Sequence, residues 1–159
     1  MLKKQNKKLI IDSDFSKKLK IAIVRTDYHK DLNETMEKYC IKTLSNNGVL
    51  KSNIKSFCVP GAWEIPIMAQ KLAKSQKFDA IVTFGVIIKG DTYHFEMLAQ
   101  EVGRALMQIS LVYNLPIIME ILAVYKKEDA IKRAGNNEYN KGIEAGTTTL
   151  KILKTLKYE

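Results

Sequence analysis

The sequence predicts a three-layer α/β/α domain, in which helices cover both faces of a four-stranded parallel sheet. Short apolar runs alternate four times with longer segments of helical periodicity, as expected when helices cross between parallel strands. The first run, KIAIVRT at residues 20–26, is β-branched and bounded by polar residues, which is typical of a strand buried on both faces. A length of 159 residues is enough for one core without disulfides or metal.

The first half of the chain contains two strands and two helices. Asp31 and Glu34 have capping-box spacing, and apolar residues then recur at helical intervals until Asn47-Gly48, so we predict a helix from Asp31. A second strand is expected over 54–59, ending at Pro60-Gly61. Helical spacing resumes over 65–77.

The second half continues the alternation. Strands are predicted over 79–85 and 116–124, separated by the longest helix at 95–113, and helices follow over 127–134 and 141–156. No internal repeat, linker or low-complexity segment interrupts this order. We therefore expect a single domain at 19–159, preceded by an N-terminal arm at 1–18.

Composition narrows the function classes. Cys40 and Cys58 lack the spacing of metal ligands and do not make a secreted disulfide scaffold, so we expect a reduced, cytoplasmic setting with no metal. The formal charge is +9, but the lysines are scattered and not interleaved with aromatics, which disfavours a nucleic-acid surface. No apolar run approaches the roughly 18 residues that span a bilayer, so no membrane partner is expected.

The carboxyl ends of the predicted strands gather polar and aromatic residues. In parallel sheets covered on both faces, ligands bind beyond these ends. The segments that follow the four strands are 26–29, 59–64, 85–94 and 122–125, and they contain aromatics, a carboxylate, glycines and both histidines. This edge is the expected site.

The segment GDTYHF at residues 90–95 has two readings. Gly90, Asp91 and Thr92 stand where a helix begins, so its free N–H groups and positive dipole end would hold an anion. Alternatively, Asp91 or Thr92 merely caps the helix. His94 is either an acid–base group one turn from that anion or an ordinary surface histidine.

Sequence spacing alone leaves two interpretations for each aromatic candidate. Trp63 and Glu64 are either presented together by a turn, or Trp63 fills the core while Glu64 begins a helix. Tyr28 either stacks on a flat ligand or covers the sheet edge.

The basic candidates also have ordinary explanations. Arg133 and Lys141 either contact phosphate or are solvated near helix ends, and Lys141 and Glu144 are spaced to pair with each other. Met119 is most simply a residue of the strand core.

Three segments resemble one known family. VPGAWEIP at 59–66 resembles the VPGA-aromatic-EIP segment of the lumazine synthase family. GVIIKGDTYHF at 85–95 resembles its G-x-V-I-[RK]-G-[DE]-T-x-H-F segment, and NKGIEAG at 140–146 resembles its NKG-x-[DE]-A-A segment. The similarity runs over about residues 20–153. It implies a flavodoxin-like fold and a transferase that needs no metal or organic cofactor, condensing 5-amino-6-(D-ribitylamino)uracil with 3,4-dihydroxy-2-butanone 4-phosphate.

The resemblance also implies roles for individual residues. Gly90, Asp91 and Thr92 match the phosphate-binding turn, His94 matches the proton-transfer histidine, and Arg133 matches a phosphate-binding arginine supplied by the adjacent subunit. Tyr28 would stack on the pyrimidine and Glu64 would accept hydrogen bonds from hydroxyl groups. The other substrate-binding positions implied are Gly61, Ala62, Trp63, Val86, Ile87, Ile88, Met119, Lys141 and Glu144.

The chain departs from the family at one wall of the implied pocket. Met119 stands where many members have phenylalanine, Glu120 replaces a common glycine, and Ala123-Val124 replaces a usual Thr-Thr pair. These changes motivate one rival, a binding module that holds flavin or lumazine without turnover. The other rival, a nucleic-acid-associated protein, rests on charge alone and predicts binding that depends steeply on salt.

The resemblance implies an assembly as well. Family members form homo-oligomers built from pentamers with active sites between subunits, and an icosahedral capsid of sixty subunits is allowed because residues 133–142 contain no obvious insertion. Association with riboflavin synthase is also allowed. The arm at 1–18 would lie along a neighbour's sheet edge or stay disordered.

Overall fold

The computed structural model describes residues 9–157. Within this range, four parallel strands form one sheet in the order β2-β1-β3-β4. The strands are β1 Ile21–Thr26, β2 Ile54–Val59, β3 Ala80–Ile88 and β4 Ile117–Val124. The helices are α1 Ser13–Lys18, α2 Lys30–Asn46, α3 Ile65–Lys74, α4 His94–Tyr113, α5 Lys127–Ala134 and α6 Lys141–Leu156. The predicted fold class is confirmed.

Two apolar clusters, one on each face of the sheet, hold the three layers together. Ile21 and Ile23 of β1 pack in a cluster with α2, α5 and α6, whereas Ala22 and Val24 pack in a cluster with α3 and α4. These four side chains are fully buried, which confirms that β1 is covered on both faces. Alternation along a strand places successive side chains in opposite layers.

The order of the strands creates the crevice. The chain moves outward from β1 to β2, then crosses back over β1 to form β3 on the other side. The connections that leave β1 and β3 therefore lead to opposite faces of the sheet, and a gap opens between them at the carboxyl ends.

Helices α2 and α6 approach closely at two glycines. A Cβ atom on Gly142 would lie 1.9 Å from the carbonyl oxygen of Met36, and one on Gly146 would lie 2.8 Å from the Cβ of Thr43. The absence of a side chain at Gly142 therefore allows backbone of α6 to contact backbone of α2. This contact fixes the position of the first turn of α6.

Several predicted boundaries are wrong. Helix α2 begins at Lys30, after a left-handed His29 with φ 57°, and it has no side-chain cap, so Asp31 and Glu34 do not form the predicted capping box. Helix α3 ends at Lys74 rather than residue 77, and β3 continues to Ile88 rather than ending at residue 85.

Part of the expected N-terminal arm packs on the chain's own fold. Asp12 caps helix α1 by accepting from the N–H of Asp14, and Ser16 is buried. Phe15 packs against the cluster on the α6 side, and the Lys154 ammonium donates to the carbonyl of Ile10. Residues 1–8 of the predicted arm lie outside the described residues. Over the described range, none of the helices is both long and apolar enough to cross a bilayer.

Candidate functional site

A cleft of about 430 Å³ opens at the carboxyl ends of β1 and β3. Three loops meet there: the connection after β1, the turn before α3, and the end of β3 with the start of α4. The lining residues are Thr26, Tyr28, His29, Gly61, Ala62, Trp63, Glu64, Val86, Ile87, Ile88, His94 and Leu98. Nine of the predicted site residues are thus brought together.

The connection after β1 is held by a buried amide. The Nδ2 of Asn33 donates to the carbonyls of Tyr28 at 2.8 Å and His29 at 3.2 Å, and lies 2.8 Å from the hydroxyl of Thr26. Asn33 is fully buried, so these bonds form away from competing water. They hold His29 in its left-handed conformation, which a non-glycine residue rarely adopts.

This connection presents an aromatic ring to the cleft. Tyr28 is 70% exposed, and its ring meets the His29 ring edge-on at 4.5 Å between centroids. The exposed ring face suits stacking on a flat molecule. Burial, and then the charge of Lys127, lower the pKa of His29. His29 was not among the predicted site residues, although its place directly after the first strand was a usable signal.

The turn before α3 presents Trp63 outward. Its indole is 57% exposed, so the alternative in which Trp63 fills the core is wrong. Glu64 ends this turn, and its Oε2 accepts from the N–H of Gly61 at 2.9 Å. The remaining lone pairs of this carboxylate can still accept from a ligand hydroxyl group.

The end of β3 forms the floor of the cleft. Val86 and Ile87 are buried, and Ile88 is half-buried. The N–H of Lys89 donates to the carbonyl of Val124, which continues the pairing of β3 with β4 beyond the last strand residue. The floor is therefore rigid and apolar.

The turn at Gly90, Asp91 and Thr92 leads directly into α4. The N-cap of α4 is Tyr93, without a side-chain hydrogen bond, so the alternative in which Asp91 or Thr92 caps the helix is wrong. A Cβ on Gly90 would meet no heavy atom of residues 9–157 within 4 Å. Packing within the described chain does not require glycine there, and the first N–H groups of α4 lack intrahelical acceptors. His94, the first residue of α4, lines the cleft.

Four predicted residues lie away from this cleft in the single chain. Met119 is half exposed on β4, which contradicts its assignment to the strand core. The Arg133 guanidinium donates to the carbonyl of Asp129 on its own helix. Lys141 and Glu144 pair with each other in the first turn of α6. Within the described chain, Arg133 and Lys141 therefore lie apart from the aromatic cleft.

A second functional candidate, Glu120, was noted only as a departure from the family. It lies on β4 within an otherwise apolar run. Burial raises its pKa to about 7; Lys141 opposes this rise and Glu144 adds to it. The sequence did contain a signal for this residue, namely a charged side chain inside an apolar strand.

Two further observations delimit the site. A separate groove of about 550 Å³ lies between α3 and α4 and includes Trp63, but neither histidine nor the turn at Gly90 contributes to it. Among the described residues, no group of three or more His, Cys, Asp or Glu could hold a metal ion. The two histidines and the Glu64 carboxylate, which line the cleft and not the groove, favour the cleft at the strand ends.

Comparison with known families agrees with the geometry. A family model described as 6,7-dimethyl-8-ribityllumazine synthase matches residues 18–157 of the 159. The match includes every segment of the cleft, the turn at Gly90 and the first turn of α6. The chain therefore belongs to the 6,7-dimethyl-8-ribityllumazine synthase family, the lumazine synthases of riboflavin biosynthesis.

Proposed function

We propose that the protein condenses 5-amino-6-(D-ribitylamino)uracil with 3,4-dihydroxy-2-butanone 4-phosphate. The products are 6,7-dimethyl-8-ribityllumazine, phosphate and two waters, and the step is the penultimate one of riboflavin biosynthesis. Family membership implies an enzyme of transferase type that acts on small molecules and typically works as a homo-oligomer. The observation that carries the proposal is the cleft, where exposed aromatic rings lie beside the helix start that carries His94.

The two halves of this region suit the two substrates. Tyr28 and Trp63 offer rings for a planar pyrimidine, and the Glu64 carboxylate accepts from ribityl hydroxyls. The N–H groups around Gly90 and Thr92, at the positive end of α4, suit a phosphate. One cleft would thereby hold both reactants side by side, which supplies much of the rate of a bimolecular condensation.

His94 is the acid–base candidate. Loss of phosphate requires removal of a proton from carbon, and ring closure requires protons on the departing oxygens. An imidazole is suited to both tasks near neutral pH. His94 borders both the ring cleft and the turn, so a single group serves both steps.

The residues that lie apart point to an assembled enzyme. Met119 is exposed on the edge strand β4, and Arg133 and Lys141 lie on α5 and α6, away from the cleft. In an assembly built from pentamers, these residues would complete the cleft of an adjacent subunit. A cytoplasmic location and association with riboflavin synthase belong to the same proposal, and copurification would test the association.

The test is formation of lumazine from the two substrates, followed by absorbance and fluorescence. We expect product from the wild type and slower turnover from His94→Ala, without complete loss, because positioning is retained. Equal rates would remove His94 from the chemistry. Tight binding of lumazine by assembled wild type without any product would favour the binding module.

Arg133→Ala tests the shared site. We expect it mainly to raise the KM for the butanone phosphate. The matched control is Arg104→Ala, which removes an exposed arginine paired with Glu101 on α4. An unchanged KM in Arg133→Ala would refute the assignment of Arg133 to the phosphate.

A further inference from the structure

Glu120 faces the layer formed by α2 and α6. Residues 118, 122 and 124 of β4, which alternate in step with Glu120, all belong to the apolar cluster on that side. Its neighbour across the sheet is Phe84. A carboxylate in this apolar setting is costly when ionised. Burial accordingly raises the pKa of Glu120 to about 7.

The charged groups around Glu120 come from two helices. Lys141 and Glu144 lie on the first turn of α6 and act on it electrostatically. On α2, the buried Cys40 thiol lies close enough that Glu120 and Glu37 help burial to raise the Cys40 pKa. Glu37 pairs with Arg25, whose Nε donates to it at 2.7 Å while its Nη2 donates to Glu34 at 3.1 Å.

The other side chains packed on this face of β4 are mainly apolar. Helix α5 places Ala130 and Ala134 in the apolar cluster on this side. Among residues 9–157, Lys141 is thus the cation whose charge acts on Glu120, and it interacts with two carboxylates, Glu120 and Glu144.

We propose that Glu120 is a positioning residue that sets how strongly Lys141 attracts the substrate phosphate. This rests on the proposed function, in which Lys141 completes the cleft of an adjacent subunit, and it places the Lys141 ammonium within electrostatic range of the phosphate held there. With Glu120 protonated, the Lys141–Glu144 pair is neutral. With Glu120 ionised, the three groups carry a net negative charge and the attraction for a dianion falls. Glu120, present where a glycine is common in the family, therefore makes phosphate affinity depend on pH.

A binding experiment tests this without the reaction. Sulfate is the probe because its charge stays constant from pH 6 to pH 8, unlike that of phosphate. Calorimetric titration of the assembled protein compares wild type, Glu120→Gln and Glu128→Gln; the last removes the same charge at an exposed site on α5. Any effect of pH on the other groups is common to all three proteins and cancels in the comparison.

We expect sulfate affinity to fall from pH 6 to pH 8 more steeply in wild type than in Glu120→Gln. The difference should be roughly threefold to tenfold, the effect of one charge acting across a partly buried cluster. Glu128→Gln should behave like wild type, and Lys141→Met should weaken binding. Where Glu120→Gln does not fold, Glu120→Leu, which matches the apolar face, should show the same flattened profile.

Kinetics gives a second readout. The KM for the butanone phosphate should rise less with pH in Glu120→Gln than in wild type, whereas kcat should be similar in the two proteins. Equal pH profiles in wild type and Glu120→Gln, sulfate binding unaffected by Lys141→Met, or no sulfate binding by wild type at millimolar concentrations would each overturn the inference. A wild type that makes no lumazine but shows the Glu120-dependent sulfate profile would refute the proposed function and support the role of Glu120.

Discussion

Replacement of Glu120 by glutamine should make the protein more stable at high pH. Glutamine keeps the shape of the side chain but cannot ionise. In the folded protein the pKa of Glu120 is about 7, against an ordinary value of 4.5. The folded state therefore binds this proton more tightly than the unfolded chain does. Its contribution to stability is fully present below pH 4.5 and is lost as the pH rises through about 7.

The magnitude follows from these two values. A difference of one pH unit between folded and unfolded pKa corresponds to about 1.4 kcal/mol. The full penalty for ionised Glu120 is therefore about 3 kcal/mol well above pH 7. Part of it is already present at pH 5.5, which leaves about 2 kcal/mol to appear between pH 5.5 and pH 8.

Urea unfolding at these two pH values, at one fixed protein concentration, measures the effect. We expect the stability gap between Glu120→Gln and wild type to widen by about 2 kcal/mol at the higher pH. The exposed Glu128→Gln should show no such widening. A gap that is the same at both pH values would mean that Glu120 titrates normally and that burial on β4 does not perturb it.

Three further changes have defined outcomes. Gly142→Ala should destabilise the fold by about 3 kcal/mol or more in urea unfolding, since its Cβ would overlap the Met36 carbonyl, whereas Gly90→Ala should change stability little. Trp63→Ala should raise the KM for the pyrimidine roughly fivefold and Trp63→Phe much less, because stacking is worth about 1 kcal/mol; equal effects would exclude stacking. Asn33→Asp should cost about 2 kcal/mol in thermal unfolding, because a carboxylate would face carbonyl oxygens in a buried site; an unchanged melting temperature would show that the amide is not needed.

The cleft could be predicted from the sequence because it follows from sheet topology. Once strands were placed at 20–26 and 79–85, their carboxyl ends had to meet, and Tyr28, Trp63 and His94 lie near those ends in the chain. The periodicity that identified the strands depends on burial, which also drives the fold. The predicted strands and the observed strands agree for this reason.

The features that were predicted wrongly or missed depend on specific side-chain contacts, which hydrophobic periodicity does not reveal. Asp31 and Glu34 had the spacing of a cap, but a left-handed His29 begins α2 one residue earlier. Buried bonds from Asn33 to the backbone hold that connection, and they join residues whose contact is visible only after folding. The raised pKa of Glu120 likewise arises chiefly from burial, with a smaller contribution from Glu144 on α6, and both depend on packing between segments distant in sequence.

The amide of Asn33 has a consequence for ligand capture. A surface loop that carries a binding ring usually loses conformational freedom when the ligand arrives, at about 1–2 kcal/mol for each residue that becomes fixed. Here the backbone of Tyr28 and His29 is already fixed by a buried donor. This backbone entropy is lost during folding rather than at association, so more of the stacking energy of the Tyr28 ring appears as affinity.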